Sequence, residues 1–171
     1  LFKEINSKAD LILKFTITTA DDSLSKIIES GVCVSSKRLE AMKKLSDTGL
    51  FVGTLITPII PFITDSEKNI KEVIRLSAEN GAKFVYTIGG VTLRENQRDY
   101  FYQELEKYFP GLKEKYIKTF GNNYFCYPLN KNLKNIFQDE CKKYGLLYEM
   151  EDIIKAYKKN NEIEQLSIGG L

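Results

Sequence analysis

Leu11-Ile12-Leu13-Lys14-Phe15-Thr16-Ile17-Thr18-Thr19 is the stretch on which the fold turns. Side chains alternate across a strand, so Leu11, Leu13, Phe15 and Ile17 make one apolar face, and Ile12, Lys14, Thr16 and Thr18 make a largely polar one. A parallel strand sandwiched between two helical layers is apolar on both faces. One helix-covered face and one polar, site-lining face fit a partial (β/α) barrel instead. An edge strand in a small sandwich is the competing reading.

Outward from this strand, the pattern alternates. Asp21-Asp22-Ser23 is a polar turn able to cap a short helix over 24–29. Ser35-Ser36 offers an N-cap to a helix over 37–46, where Leu39, Met42 and Leu45 share a face and Gly49 supplies a stop. A second strand over 51–57 ends at Pro58 and Pro61. Asp65 or Ser66 then caps an amphipathic helix whose stripe is Ile70, Val73, Ile74 and Ser77-Ala78, with Gly81 as terminator. The third strand covers 83–88. Crossovers of this length imply parallel strands. The expected fold is therefore α/β: a partial (β/α) barrel with three parallel strands and covering helices, over residues 1–119. After Gly89-Gly90 and Val91-Thr92-Leu93, helices follow over 94–109 and 111–119. Residues 120–171 read as a C-terminal helical appendage. It has an aromatic connector from Phe120 to Pro128, helices over 130–144 and 150–158, and a loose end at Ile168-Gly169-Gly170-Leu171.

Composition excludes several chemistries. The 171 residues include no His, so a Ser-His-Asp triad is impossible within them and most zinc chemistry is removed. Cys33, Cys126 and Cys141 are odd in number and widely spaced, which argues against a disulfide framework or a zinc ribbon. A formal charge of +2 names no partner by itself. No run approaches the roughly 18 apolar residues of a membrane helix, and Leu1-Phe2-Lys3-Glu4 lacks the regions of a signal peptide. A cytoplasmic protein without membrane attachment is expected.

The Phe15-Thr16-Ile17-Thr18-Thr19 strand, the Glu29-Ser30-Gly31 turn, the Arg38-Leu39-Glu40-Ala41-Met42-Lys43-Lys44-Leu45 helix and Gly53 to Glu67 together resemble the radical S-adenosylmethionine family typified by spore photoproduct lyase. The likeness runs from Leu11 to Tyr157. It implies a [4Fe-4S] cluster on a CxxxCxxC loop, S-adenosylmethionine bound at its open iron, and a 5′-deoxyadenosyl radical that abstracts a substrate hydrogen. By the same resemblance, Thr16 and Thr18 line the cofactor site, and Arg38 grips the cofactor carboxylate through its guanidinium fork. Thr57 and Pro58 flank adenine or substrate, and Thr92 and Leu93 pack and pair adenine.

Two departures accompany the likeness. Ser30 stands where the family's turn has proline, and no cysteine here has cluster-loop spacing. The chain thus reads as an inactive piece of a longer enzyme, and neither S-adenosylmethionine nor the cluster is expected to be retained by it alone. The parent's substrate is open, with nucleic acid suggested by the family's DNA lesion repair and by Tyr100, Phe101, Tyr102, Tyr108 and Phe109 beside basic residues. A different class of reading is a non-catalytic α/β scaffold that binds protein or nucleic acid. In either case an incomplete barrel leaves a sheet edge through which copies can associate. Thr16, Thr18 and Arg38 also have plain structural readings, as β-branched strand residues and a solvated helix residue.

Overall fold

The computed structural model describes residues 1–158, so the expected loose end at Ile168 to Leu171 lies outside the described residues. Helix α1 (Phe2–Lys8) buries no side chain and leads into strand β1 (Leu13–Thr16). Helices α2 (Asp22–Ile28) and α3 (Ser35–Ser46) connect it to β2 (Val52–Leu55). Helix α4 (Glu67–Glu79) then returns the chain to β3 (Phe84–Tyr86). The strands form a parallel sheet in the order β1-β2-β3, in register Leu13 to Val52 and Thr54 to Val85. The fold is mixed α/β, with a three-stranded parallel sheet and eight helices among the described residues.

Alternation sorts the sheet as the sequence suggests. Ile17, Val52, Ile56 and Val85 are fully buried against Leu39 and Met42 of α3 and Ile70, Val73 and Ile74 of α4. Thr54 points into the same core, where its hydroxyl meets Ser77 Oγ at 2.8 Å. The strands are shorter than their apolar runs. Past Thr16 the backbone of β1 leaves the ladder after one more bond, from Ile17 N–H to the Leu55 carbonyl at 3.0 Å.

Helix α3 starts at Ser35, not after a Ser35-Ser36 cap, and Val34 at its N-cap position offers no side-chain oxygen. The cap comes from the neighbouring helix: Asp22 of α2 accepts from Ser36 N–H at 2.9 Å and from Ser36 Oγ at 2.5 Å. A carboxylate there satisfies an orphan donor and complements the helix dipole. Ser66 caps α4 by accepting from Asn69 N–H at 3.2 Å, as its position suggests.

Beyond β3, strand β4 (Val91–Thr92), helix α5 (Glu95–Tyr108), helix α6 (Leu112–Phe120) and strand β5 (Phe125–Cys126) build a second core, with β4 and β5 antiparallel. Leu93, Tyr102, Leu105, Tyr116, Phe120 and Cys126 fill it. Helix α7 (Leu133–Lys143) rejoins the first core through Leu133, Phe137 and Cys141. Leu147 then bridges to Phe84 in parallel, so the β3 side of the sheet is covered and β1 is its unpaired edge among the described residues. Of the helical extension, α7 and Leu146 are therefore packed onto the sheet's own core, while Phe120 and Cys126 belong to the second one. Helix α8 (Met150–Tyr157) closes the described chain. None of the described helices is long and apolar enough to cross a membrane.

Candidate functional site

Three of the residues singled out from the sequence meet at the C-terminal end of β1. Arg38, half-buried on α3, directs Nη1 to both oxygens of Glu29, at 2.9 and 3.0 Å, and to the Thr16 carbonyl at 2.7 Å. Its Nε donates to the Cys33 carbonyl at 2.6 Å. Thr18 is buried, and its hydroxyl donates to Glu29 Oε2 at 3.2 Å. Glu29 joins the cluster as its acceptor, a role left unassigned when the Glu29-Ser30-Gly31 turn is read as sequence. The guanidinium fork is thus turned inward, and a bidentate grip on a ligand carboxylate is not available in this arrangement. One donor is left over: Arg38 Nη2 is enclosed and has no hydrogen-bond partner.

The sheet face opposite α3 and α4 carries Lys14, Leu55, Thr57, Phe84, Tyr86 and Ile88, which line a cleft of about 200 Å³ with Met150 and Ile153 of α8. By alternation the half-buried Thr16 shares this face with Lys14. Thr57 opens a cis peptide bond to Pro58, which is exposed. Above it, Thr87 Oγ1 donates to the Ile56 carbonyl at 2.6 Å and accepts from Gly89 N–H at 3.1 Å, fixing the loop at the C-terminal ends of β2 and β3. That loop borders a larger cleft of about 530 Å³, whose other wall is the connector around Tyr127 and the start of α7.

Thr92 and Leu93 lie apart from these groups in the second core. Thr92 is exposed on β4, but Leu93 is 3% exposed, and its N–H and carbonyl are taken by the Tyr124 carbonyl and Arg98 Nη2. Leu93 accordingly has neither surface nor backbone to give an adenine ring. The aromatic group on α5 is divided: Tyr100 and Tyr108 are exposed, whereas Tyr102 is buried and Phe101 and Phe109 pack on the second core.

The thiols are dispersed. Cys33 is exposed, Cys126 is buried in the second core and Cys141 in the first. Burial pushes the Cys126 thiol up and the Cys141 thiol up to about 12. Among the described residues, no three His, Cys, Asp or Glu side chains gather to hold a metal ion, so the residues present do not fit an iron-sulfur cluster. The cleft on the opposite sheet face sets Thr57 and Lys14 beside Leu55, Tyr86 and Ile88, a mixed polar and apolar lining.

The chain is similar to uncharacterized proteins of Mycobacterium bovis and of two strains of Mycobacterium tuberculosis, each 24% identical over 128 residues. The matched segment is 75% of this chain but 37% of each relative, so the chain spans little more than a third of the length of the curated relatives it matches. No family model and no solved structure matches the chain.

Proposed function

We propose that this chain supplies the second half of a partial (β/α) barrel in a longer radical S-adenosylmethionine protein, and that its open sheet face holds the nucleoside part of the cofactor. The observation carrying this reading is the two-faced parallel sheet: one face sealed by α3 and α4, the other presenting Thr16, Thr57 and Tyr86 toward the C-terminal strand ends, where sites on such folds gather. The greater length of the mycobacterial relatives is in keeping with a missing half.

In this reading the cluster ligands come from outside the 171 residues. In that longer protein the cluster and S-adenosylmethionine would supply the radical chemistry. The chain's own residues orient and enclose. Thr16 and Thr57 exchange hydrogen bonds with ribose or methionine groups, and Leu55, Tyr86 and Ile88 exclude water from the adenine side. Arg38 acts one step removed: through the Thr16 carbonyl and Glu29 it holds the end of β1 in place.

The test uses the longer protein, reconstituted anaerobically with iron and sulfide, reduced in the presence of S-adenosylmethionine and assayed for 5′-deoxyadenosine. Product is expected, with Thr57→Val lowering it about tenfold by removing a bonded hydroxyl. A protein that takes up no cluster and yields no product sinks the reading. That result would favour a non-catalytic scaffold, which the unpaired β1 edge suits, and a partner or a second copy would then be sought there.

A further inference from the structure

The cleft of about 530 Å³ at the C-terminal end of β3 has a mixed lining, and the sheet-face site does not use most of it. Its floor is aromatic and apolar: Tyr86 of β3, Phe137 of α7 and Tyr148 beyond it, with Tyr127 on the connector at the side. Phe125 stacks on Tyr127 with ring centroids 4.3 Å apart, which holds that ring although it is 59% exposed. A volume of this size suits a mononucleotide-scale ligand rather than a bare metal ion.

Charge narrows the class. Lys131 and Lys134 line the cleft, both are exposed, and neither has an ion-pair partner among the described residues. Glu149 lines it too, but its Oε1 accepts from Gln138 Nε2 at 3.4 Å, and one carboxylate against two ammonium groups leaves a positive wall. The start of α7 adds to it. Asn132 at the N-cap position makes no side-chain cap, and the N–H groups of Lys134 and Asn135 find no backbone acceptor outside the helix. Unbonded N–H groups with lysines beside them favour a phosphate.

We propose that this cleft binds a small phosphorylated aromatic molecule of nucleotide size, its ring against Tyr86, Tyr127 and Tyr148 and its phosphate toward Lys131, Lys134 and the first turn of α7. The proposal shares Tyr86 with the radical S-adenosylmethionine reading but uses none of Thr16, Thr57 or Arg38, so the Lys131, Lys134 and Tyr127 variants separate the two. The ligand is a free small molecule: the lysines lining the cleft are confined to the start of α7, three residues apart, whereas a strand requires cations spaced along its backbone.

The experiment is equilibrium dialysis of the whole chain with adenosine 5′-monophosphate, with adenosine, inorganic phosphate, S-adenosylmethionine and a single-stranded oligonucleotide as separate arms. Adenosine monophosphate is expected to saturate with a Kd at or below about 1 mM. Adenosine and phosphate alone should each bind at least about tenfold more weakly, since each lacks half of the contacts. Lys131→Ala with Lys134→Ala should weaken the nucleotide about tenfold, and Tyr127→Ala should weaken it similarly, with circular dichroism unchanged. Lys113→Ala with Lys118→Ala on α6 should change nothing. The proposal is overturned by an absence of saturable binding, by binding indifferent to the Lys131 and Lys134 changes, or by full competition from S-adenosylmethionine, which would make the cleft the cofactor's. Binding of the oligonucleotide in preference to the mononucleotide would overturn it as well.

Discussion

Arg38 and Glu29 form a two-oxygen ion pair, with Nη1 at 2.9 and 3.0 Å, between side chains only 14% and 22% exposed. The pair ties the start of α3 to the turn after α2, and through the Thr16 carbonyl it ties both to the end of β1. Removing one partner leaves a largely enclosed charge. Glu29→Ala is expected to cost about 3 kcal/mol, and Glu29→Gln, which keeps one acceptor oxygen for Arg38 and Thr18 to share, about 1 kcal/mol. A denaturant double-mutant cycle on Glu29→Ala and Arg38→Ala should give a coupling above about 1 kcal/mol. Additive losses would mean the pair is incidental.

Asp22 gives the fold a pH-dependent contact. The Ser36 hydroxyl, with help from Ser36 N–H and against some desolvation, holds the Asp22 carboxyl below its ordinary value of 3.8. For an acid with a depressed folded value, the stabilisation is complete above the ordinary value and is lost as pH falls through the folded one. Asp22→Ala should therefore cost about 1 kcal/mol at pH 7, as a lost helix cap does, and progressively less as the pH falls below the ordinary 3.8. Thermal melts of both proteins across that range check it. A pH-independent difference would show that the carboxylate's charge is not what caps α3.

The sheet was legible in the sequence because its signal is local: Leu13, Phe15 and Ile17 alternate with Lys14, Thr16 and Thr18, and Gly49 and Gly81 end their helices with φ of +82° and +81°. What is non-local was not. Nothing near Ser36 announces that its cap is Asp22, 14 residues away, and no periodicity pairs Val91 with Cys126. The same limit governs the site. Arg38 and Thr18 could be selected by type, but that each bonds Glu29 is a property of the folded turn. Leu93 looked available because a lone apolar residue in a short strand carries no sign of the core it enters.

Gly53 sits in the central strand where a side chain has no room. A Cβ there would meet the Phe84 ring and lie 2.5 Å from the Phe84 carbonyl oxygen, while that ring is stacked on Phe51 with centroids 5.5 Å apart. Gly53→Ala should cost about 2–4 kcal/mol by forcing β2 and β3 apart, whereas Gly111→Ala meets no atom and pays only for its positive φ, about 1 kcal/mol. Chemical denaturation of both variants decides between them, and equal losses would place the Gly53 effect in backbone freedom rather than crowding.

The thiols should separate by burial. Cys33 is exposed, Cys126 is buried, and Cys141, also buried, has its thiol pushed up to about 12. A thiolate-specific reagent at about pH 8 should modify one thiol per native chain rapidly and the others only after unfolding. Rapid reaction of a second thiol would mean that one of the two cores opens under native conditions.

Asn69 is the joint on which the C-terminal end of β1 hangs. From the first turn of α4 its Nδ2 donates to the Thr18 carbonyl at 3.0 Å and the Thr64 carbonyl at 2.9 Å, while its Oδ1 accepts from Ala20 N–H at 3.1 Å. No other residue type of this size carries both donors and an acceptor in one plane. Asn69→Ala leaves three backbone groups without their partners and should cost about 2–3 kcal/mol, with hydrogen exchange at Ala20 accelerated well beyond that at Val85 in β3. Asn69→Asp keeps the acceptor but turns the donors into a carboxylate facing two carbonyls. It should be the worse variant at pH 7 and should recover as the pH falls and the new acid protonates. If Asn69→Ala loosens Ala20 and Val85 alike, the side chain supports the domain as a whole and not the end of β1 in particular.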